Sequence, residues 1–364
     1  MKILQIIPSF ESAGAETMVQ DLILSQKAMG HDVSAISFFD YDTPITKKLK
    51  ENHVNIYFLH KKRGGDFSII KRIRDVVKNL QPEVIHTHLD TIYSFLATIG
   101  LENITKIHTV HNIAEKETDS LRQWILRPIY KNKKVTSVAL TQKIQETICD
   151  VYGLPPENVP IIFNGRDLSS FLAKPEKVFR NIKRFIHVGR YAPQKNHERL
   201  IEGFAIAHKK YPHIFLDLIG EGELYDTIHK KIIQCGLEKS IRQLGRKQNV
   251  ADYIADADSF ILPSNYEGMP ISLIEALACG LPCIVTPVGG VPDIIKNYNN
   301  GIFCNASAQS IAEAMEKLIC NPELCNTIAQ NARITSQKYS AERMAHDYID
   351  LYRKIKHSPY KTNH

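Results

Sequence analysis

The sequence contains no apolar run that approaches the roughly 20 residues a membrane-spanning helix needs. Its first ten residues, MKILQIIPSF, also lack the long apolar core and the small-residue cleavage site of a signal peptide. Both absences argue against a membrane-spanning or secreted chain. We therefore expect the N-terminal segment to form a first β-strand.

Cysteine is scarce and has no paired spacing. The chain has seven cysteines, an odd number, scattered and without a C-x-x-C motif. This pattern is typical of reduced thiols in a cytoplasmic protein and excludes a disulfide framework as the expected scaffold. The glycosylation sequons at Asn103 and Asn305 are then chance matches.

The size and composition suit a globular protein of two domains. A chain of 364 residues is long for one hydrophobic core. Its 43% hydrophobic and 23% charged residues are ordinary values for a globular protein.

Basic residues cluster in the first half, although the net charge is only +7. The clusters are either solvated helix faces or a surface attracted to an anionic membrane or a pyrophosphate-linked lipid, and the sequence leaves both open. Nucleic acid is not an expected partner, because no interleaved aromatic residues or known binding motif accompany the charge. The clusters are Lys47, Lys48 and Lys50; Lys61, Lys62 and Arg63; Lys71, Arg72 and Arg74; and Lys131, Lys133 and Lys134.

Strand-like runs alternate with amphipathic segments in both halves, which predicts an α/β fold of parallel sheets with helices on both faces. Such sheets bind ligands at the carboxyl ends of their strands. The predicted strands are Ile3–Ile7, Val33–Phe38, Ile56–Phe58, Val84–Thr87, Lys106–Val110 and Val135–Ala139, then Arg184–Val188, Phe215–Ile219, Ile241–Leu244, Ser259–Leu262 and Cys283–Thr286. The predicted helices are Thr17–Met29, Ile69–Leu80, Glu198–Lys210, Leu224–Cys235, Val250–Ala255, Ile271–Ala278, Ala308–Cys320 and Ala341–Ile355.

The domain break is expected near Asn164-Gly165, a turn signal, because residues 169–177 have no clean periodicity. We predict one domain over 1–168 and a second over 178–340. The last helix carries Met344, Tyr348 and Tyr352 at helical spacing, and the tail after His357 is expected to be loose.

The segment from Ser264 to Ile295 is the most informative in the chain. It is predicted to form a strand end, an acidic loop, a helix and a second strand, with Pro270 in the first helical turn and Gly280 at the stop. A helix N-terminus in this position attracts a phosphate. Glu267 in the loop and Glu275 in the helix can accept hydrogen bonds from hydroxyl groups. Two carboxylates beside an anion site suit a ligand that is both phosphorylated and rich in hydroxyls, such as a sugar nucleotide.

Glu267-Gly268-Met269-Pro270 followed by Glu275-Ala276 resembles the Glu-x7-Glu signature of the retaining glycosyltransferases of family GT4. The resemblance implies a GT-B fold, in which two Rossmann-like domains face each other across a cleft. Domain 1–168 would bind the acceptor and domain 178–340 the nucleotide sugar, with the helix at about 341–357 packed back on the first domain. It also implies that Glu267 binds sugar hydroxyls, that Glu275 binds the ribose, and that the segment Gly268-Met269-Pro270-Ile271 assists with its backbone N–H groups, of which Pro270 has none.

A second motif, VGRYAPQKN, follows the first strand of the second domain. A glycine turn there permits close approach of a ligand, and Arg190 and Lys195 supply two cations for a diphosphate. Fixed cations stabilise the transition state more than the ground state, because the leaving nucleotide gains negative charge. The alternative is a pair of solvent-facing basic residues in a loop. The segment resembles the G-R-x4-K motif of the family, with Gly189 as its glycine, which implies the first role.

Other glycine loops carry weaker signals. Gly220 and Gly222 after a strand are by themselves a turn, but they match the G-x-G position of the family's donor site. Gly245-Arg246 matches the place where family members contact the nucleotide base through their backbone.

The loop Ser12-Ala13-Gly14 precedes the first helix and is suited to approach a phosphate or a sugar. Gly14 fits the family pattern, while Ala13 stands where many members have another glycine. The loop is not a G-x-G-x-x-G dinucleotide fingerprint.

His86, His88, His108 and His111 are dense enough to raise the question of a metal. His86 and His88 would share one strand face, as in zinc sites, but apart from Asp90 nothing nearby completes a ligand set. The favoured interpretation is therefore that these are loop histidines whose ring nitrogens are hydrogen-bonded to neighbouring groups. By resemblance, His111 at a strand end is the position that meets the donor sugar. Asp256-x-Asp258 matches the D-x-D metal motif only superficially, because it precedes its strand.

The resemblance implies a retaining glycosyltransferase that moves a sugar from a nucleoside diphosphate, expected to be uridine-linked, to a saccharide or lipid-linked acceptor in bacterial surface-polysaccharide synthesis. No cofactor and no metal are expected, because Arg190 and Lys195 supply the cations. The alternatives are a GT-B-type epimerase and a sugar-nucleotide-binding protein without activity. A phosphorylase would need a pyridoxal-binding lysine, and no lysine has a suitable context.

Overall fold

The structure is a computed structural model, and it describes residues 1–11, 14–62, 64–101, 103–132 and 134–356. The chain forms two compact units, one of residues 1–166 with the segment from Ala341, and the other of residues 167–340. Each unit holds a six-stranded sheet in which every strand pairing is parallel, which confirms the predicted fold class. The predictions for Ser12, Ala13, Arg63, Lys133 and the tail after 356 lie outside the described residues.

The first sheet has the strand order β3-β2-β1-β4-β5-β6. Apart from β3, its strands are almost entirely buried; β4 is buried throughout, as expected for a parallel sheet covered by helices on both sides. The ends of each strand lie within one residue of the prediction. The strands are β1 (Lys2–Ile7), β2 (Asp32–Ser37), β3 (Asn55–Phe58), β4 (Val84–His88), β5 (Thr105–Val110) and β6 (Thr136–Ala139).

Helices cover this sheet, and α3 shows most clearly how an apolar stripe holds such a helix in place. In α3, Ile69, Ile73 and Val77 recur every four residues and are at most 1% exposed, packed in one core with Leu4 and Ile6 of β1. The helices of the first part of the unit are α1 (Gly14–Ala28), α2 (Pro44–Glu51), α3 (Ser68–Leu80), α4 (Ile92–Ala97), α5 (Ala114–Glu117), α6 (Ser120–Lys131) and α7 (Gln142–Tyr152).

The second sheet has the order β12-β11-β10-β7-β8-β9. Its last strand, β12, spans only two residues and was not predicted, because so short a run has no periodicity to detect. The strands are β7 (Arg184–Val188), β8 (Phe215–Ile219), β9 (Ile241–Gly245), β10 (Ser259–Leu262), β11 (Cys283–Val285) and β12 (Ile302–Phe303). The helices of the second unit are α8 (Ser169–Leu172), α9 (His197–Lys210), α10 (Tyr225–Gln234), α11 (Val250–Asp256), α12 (Ile271–Ala278), α13 (Val291–Ile294), α14 (Ala308–Cys320) and α15 (Pro322–Ser336).

The C-terminal helix α16 (Ala341–Lys356) belongs to the first unit, where it packs on α1 and β5. Tyr348 and Tyr352 are completely buried on its inner side. No helix in the described part of the chain is long and apolar enough to cross a bilayer.

Each sheet has a point where the strand order reverses direction. In the first unit β1 lies between β2 and β4, and in the second unit β7 lies between β8 and β10. At such a point the loops leaving the two central strands diverge, and a crevice opens at the carboxyl edge. The loops after β7 and β10 are those that carry the two predicted motifs.

Candidate active site

Lys195 and Glu267 meet at the carboxyl edge of the second sheet. The Nζ atom of Lys195, in the turn after β7, lies 2.6 Å from Oε1 of Glu267, in the loop after β10. The hydroxyl of Ser264 donates to the same carboxylate oxygen at 2.6 Å. The Lys195 and Glu267 side chains are 15% and 5% exposed, so this charge-assisted pair is shielded from water.

Backbone and amide hydrogen bonds join the same two loops. The N–H of Asn265 donates to the carbonyl of Gln194 at 2.8 Å, and the Asn265 amide donates to the carbonyl of Pro193 at 2.8 Å. The Gln194 amide donates in turn to the carbonyl of Tyr266 at 3.0 Å and to Oε2 of Glu267 at 3.3 Å. The position of Glu267 is therefore fixed by contacts on both of its carboxylate oxygens.

Gly220 and Gly222 are required by a close approach between two loops. A Cβ on Gly220 would lie 2.0 Å from the carbonyl oxygen of Gly189, and a Cβ on Gly222 would lie 2.5 Å from that of Tyr191. Their φ angles of 143° and 153° also favour glycine. These two predicted donor-site glycines thus hold the loop after β8 against the loop that carries Arg190 and Lys195.

Gly289 supports Glu267 from the loop after β11. Its φ is 54°, and a Cβ there would lie 1.7 Å from the carbonyl oxygen of Glu267. The next residue, Gly290, donates its N–H to the carbonyl of Gly268 at 2.9 Å. The glycine pair packs directly beneath the acidic loop.

Glu275 and Arg190 lie in contrasting surroundings. Glu275 is 7% exposed within α12, whose first residue follows the loop of Glu267 to Pro270. Arg190 points outward: its side chain is 70% exposed, and Nη2 lies 3.1 Å from the Glu223 carboxylate. Among the other predicted positions, Gly245 ends β9, Arg246 is exposed just after it, and Gly14 begins α1.

A buried aromatic layer lies below the turn of Lys195. His197 stacks on Tyr191 at 4.2 Å between ring centroids and meets His187 edge-on at 4.7 Å. His187 Nδ1 bonds the carbonyl of Ile261, while neither ring nitrogen of His197 has a hydrogen-bond partner within the described residues. Burial lowers the pKa of His187 to about 4 and lowers the pKa of His197 strongly, so both rings are neutral.

In the first unit, His111 lies at the end of β5 and is held by its neighbours. Its backbone N–H donates to Oε2 of Glu117 at 3.0 Å, and its Nε2 lies 3.0 Å from Nδ1 of His88. His88 Nε2 lies 2.9 Å from Oε1 of Gln5, which only accepts, so His88 carries its proton on Nε2. Burial lowers the pKa of both rings, to about 4 for His111. A neutral His88 then accepts on Nδ1, and His111 must donate from Nε2.

The same chain of hydrogen bonds continues to the C-terminal helix. The Gln5 amide donates to Gln26 at 3.0 Å, and the Gln26 amide donates to the Tyr352 hydroxyl at 3.2 Å. That hydroxyl also lies 2.7 Å from Nδ1 of His86. His111 therefore presents Nδ1 as an acceptor because residues from β1, α1 and α16 fix its tautomer.

The four neighbouring histidines of the first unit are hydrogen-bonded to one another or to nearby side chains. His108 bonds Thr87 at 2.9 Å and lies 3.5 Å from Oε1 of Glu117. No group of three or more histidine, cysteine, aspartate or glutamate side chains suited to hold a metal occurs in the described ranges. Asp258, of the D-x-D segment, accepts from the N–H groups of Lys183 and Arg184 at the start of β7.

Sequence reasoning missed several supporting residues. Ser264 and the Gly289-Gly290 pair lie in the segment that carries the main motif, and a glycine pair in the loop after a strand was an available signal. Gln194 had no signal of its own. Glu117 and the Gln5–Gln26–Tyr352 chain join positions far apart in sequence, which no local pattern reveals.

Two family descriptions match adjoining parts of the chain. Residues 12–170 match Glycosyltransferase Family 4, and residues 171–335 match Glycosyl transferases group 1. The chain is 25% identical to N-acetyl-alpha-D-glucosaminyl L-malate synthase of Bacillus anthracis, over 97% of both chains. It is 27% identical to the UDP-Gal:alpha-D-GlcNAc-diphosphoundecaprenol alpha-1,3-galactosyltransferase of Escherichia coli, over 74% of this chain and 76% of that protein.

Solved structures share the fold. The crystal structure of Anabaena Alr3699/HepE in complex with UDP superposes with a TM-score of 0.82 at 20% identity, covering 97% of this chain and 100% of that one. The two family matches together span residues 12–335. The chain belongs to the GT4-type glycosyltransferases, enzymes of the GT-B fold that act on sugar nucleotides.

Proposed function

We propose that the protein transfers a hexose or N-acetylhexosamine from a UDP-sugar, with retention of anomeric configuration, to a saccharide or lipid-linked acceptor in bacterial surface-polysaccharide synthesis. The observation that carries the proposal is the shielded Lys195–Glu267 pair at the point where the strand order reverses. The uridine nucleotide is supported by the relatives: one uses UDP-Gal, and HepE binds UDP.

The donor would be held by two kinds of group. Lys195 and Arg190 neutralise the diphosphate, with Gly189, Gly220 and Gly222 admitting it close to the backbone. Glu275 accepts from the ribose hydroxyls, while Gly245 and Arg246 contact the base through their backbone. Glu267 accepts from sugar hydroxyls, and the N-terminus of α12, from Gly268 through Met269 and Pro270 to Ile271, adds its partial positive charge.

The reaction breaks the bond between the anomeric carbon and the β-phosphate oxygen and forms a bond from that carbon to the acceptor oxygen. The acceptor proton passes to the departing phosphate oxygen, on the same face of the sugar, so configuration is retained. Arg190 and Lys195 stabilise the charge that develops on the leaving diphosphate. These cations supply the electrostatic role for which other transferases use a metal, so we propose no metal and no cofactor.

His111 is proposed as a sugar contact that orients the anomeric centre. Its Nδ1 is the acceptor left by the hydrogen bond of Nε2 to His88. A neutral ring suits this role, because a hydroxyl group then donates to it without competition from a proton.

The experiment has two stages. A panel of uridine, guanosine and adenosine diphosphate sugars is first screened for thermal stabilisation, because a bound donor raises the unfolding temperature. The stabilising donor is then incubated with saccharide and polyprenyl-linked acceptors, and nucleoside diphosphate release and the anomeric configuration of the product are measured. We expect acceptor-dependent release of UDP and a retained anomer.

Three outcomes would contradict the proposal. Conversion of the donor sugar without any acceptor would indicate an epimerase. Tight donor binding with no release for any acceptor would indicate a binding protein. An inverted product would reject same-face attack.

A further inference from the structure

Helix α6 exposes two large apolar side chains to solvent. Leu121 is 69% exposed and Trp124, the only tryptophan of the chain, is 74% exposed. With Pro128, also exposed, they follow one line along the helix at spacings of three and four residues. We call this side of α6, with Arg127 and Lys131 beside it, the Trp124 face.

The core does not require these side chains. The opposite side of α6 carries Leu126, Ile129 and Tyr130, which are at most 6% exposed and anchor the helix. An isolated exposed apolar residue needs no explanation, but two large ones on successive turns of a short helix mark an interaction surface.

The surroundings of the Trp124 face are basic. Helix α6 contains no acidic residue, and Arg127 and Lys131 are exposed on its outer side, with Lys134 three positions further on. Asp119, which caps the helix, lies 3.5 Å from Arg122, so that acid is offset locally. The surface therefore combines an apolar line with the positive charge of Arg127 and Lys131.

We propose that the Trp124 face docks on an anionic lipid bilayer. Leucine and tryptophan enter the boundary between headgroups and acyl chains, and the flanking cations attract anionic headgroups. A second copy of this chain fits less well, because a two-fold interface would bring the same cations together. Nucleic acid is also a poorer partner for the Trp124 face, because docking on it would not favour burial of the apolar Leu121 side chain.

The location of α6 connects docking with transfer. Arg122 and Leu126 line a small cavity together with residues 89–92, which follow β4 at the carboxyl edge of the first sheet. Docking would hold this edge near the headgroups, where a lipid-linked acceptor carries its sugar. This last step rests on the proposed function, whereas docking itself does not.

The single tryptophan provides a probe that needs no label. The purified full chain is titrated with vesicles containing about one third phosphatidylglycerol and, separately, with phosphatidylcholine vesicles. We expect a saturable blue shift of tryptophan emission with the anionic vesicles and quenching by brominated acyl chains. High salt should reverse the shift, because it screens the attraction. Absence of a shift with anionic vesicles would overturn the proposal.

Vesicle co-sedimentation compares matched variants. Leu121→Ser with Trp124→Ser, and Arg127→Glu with Lys131→Glu, should each weaken binding about tenfold or more. Ile334→Ser, at a site that is 63% exposed in the second unit, and the exposed pair Lys209→Glu with Lys230→Glu are the controls and should bind normally.

Two further outcomes would overturn docking on anionic lipid. Equal binding to neutral vesicles would remove the role of charge, and a blue shift that grows with protein concentration without vesicles would indicate self-association. Transfer to a water-soluble acceptor should persist in the Leu121→Ser, Trp124→Ser variant. Transfer without vesicle binding refutes only docking, and vesicle binding without transfer refutes only the proposed function.

Discussion

The ammonium of Lys195 lies 2.6 Å from the carboxylate of Glu267, and both side chains are largely withdrawn from solvent. Each charged group therefore has a fixed position set by the other, and Ser264 and Gln194 complete the hydrogen bonds of the carboxylate. Electrostatic catalysis depends on such preorganised groups, because they need not reorient as charge develops. The same contact makes the two residues interdependent in stability.

Lys195→Ala should reduce kcat about a hundredfold or more, because it removes charge stabilisation from the departing diphosphate. It should also lower the unfolding temperature, because Glu267 is left as an uncompensated buried charge. Arg190→Ala should reduce kcat to a similar extent but leave the unfolding temperature unchanged, because its pair with Glu223 is exposed. Near-normal turnover in both variants would remove them from the mechanism.

Gly289→Ala should reduce kcat/KM about a hundredfold, because the new Cβ would displace the backbone of Glu267 and misplacement of a binding group by about 1 Å has that effect. Gly236→Ala is the matched control. Gly236 has a similar φ of 67°, but no atom lies within 4 Å of the position its new methyl group would take, so both variants carry the same backbone strain and only one disturbs the site. Equal kinetics of the two variants would show that Gly289 does not position Glu267.

Most of the fold was readable from the sequence because its signals are local. Buried parallel strands are short apolar runs, and every predicted strand lies within one residue of its observed position. The one strand of the described residues that was not predicted, β12, consists of Ile302 and Phe303 alone and forms through its pairing with β11. Tertiary contact, rather than intrinsic preference, makes those two residues a strand.

The candidate site was readable only in part. Glu267, Glu275, Arg190 and Lys195 stand in motifs whose residue types match the chemistry of a phosphorylated, hydroxyl-rich ligand. The ion pair between two of them was not predicted, because it spans 72 positions and depends on the adjacency of β7 and β10. Their roles in catalysis remain predictions, which substitution of the individual residues tests.

Glu275→Ala should weaken UDP binding about tenfold or more in calorimetry, because ribose hydroxyls would lose a charged acceptor. Glu275→Gln keeps the shape and an acceptor oxygen, so it should weaken binding less. Glu238→Ala, an exposed site of the same unit, is the control. Unchanged UDP affinity in a folded Glu275→Ala protein would reject the ribose assignment.

Stability should fall as the pH is lowered below about 6.5. His187 has a pKa of about 4 in the folded chain against 6.5 for an ordinary histidine, and the pKa of His197 is also lowered. Between these values the unfolded state binds more protons, so each such ring removes up to about 1.4 kcal/mol of unfolding free energy per pH unit. Above pH 6.5 the two histidine rings are neutral in both the folded and the unfolded state, so they no longer contribute to the pH dependence of stability.

His197→Phe should therefore make the unfolding temperature less sensitive to pH between 7 and 5, measured by scanning calorimetry. Phenylalanine keeps the stacking on Tyr191, and neither nitrogen of His197 has a partner to lose among the described residues. His213→Asn, at an exposed position, is the control and should leave the pH dependence as it is. A parent protein as stable at pH 5 as at pH 7 would contradict the neutral buried state.

Gln5 is predicted to act on the reaction through His88 and His111. Its carbonyl oxygen accepts from Nε2 of His88, and this fixes the proton on Nε2 of His111. Gln5→Leu removes the acceptor, so His88 can carry its proton on Nδ1 and disturb the neighbouring ring. We expect kcat to fall about tenfold, with altered pH dependence in the acid limb of the rate profile.

A double-mutant cycle distinguishes this positioning role from simple loss of packing. If Gln5 acts only through His111, then Gln5→Leu combined with His111→Phe should be no slower than His111→Phe alone, because the contact being positioned is already gone. Multiplicative losses in the double variant would show that the two residues act independently. An unfolding temperature measured for each variant shows whether a fall in rate reflects unfolding, since Gln5 is completely buried.

Because Gln5 also bonds Gln26, which bonds Tyr352 of α16, Tyr352→Phe should produce a smaller fall in kcat of the same kind, transmitted from the C-terminal helix.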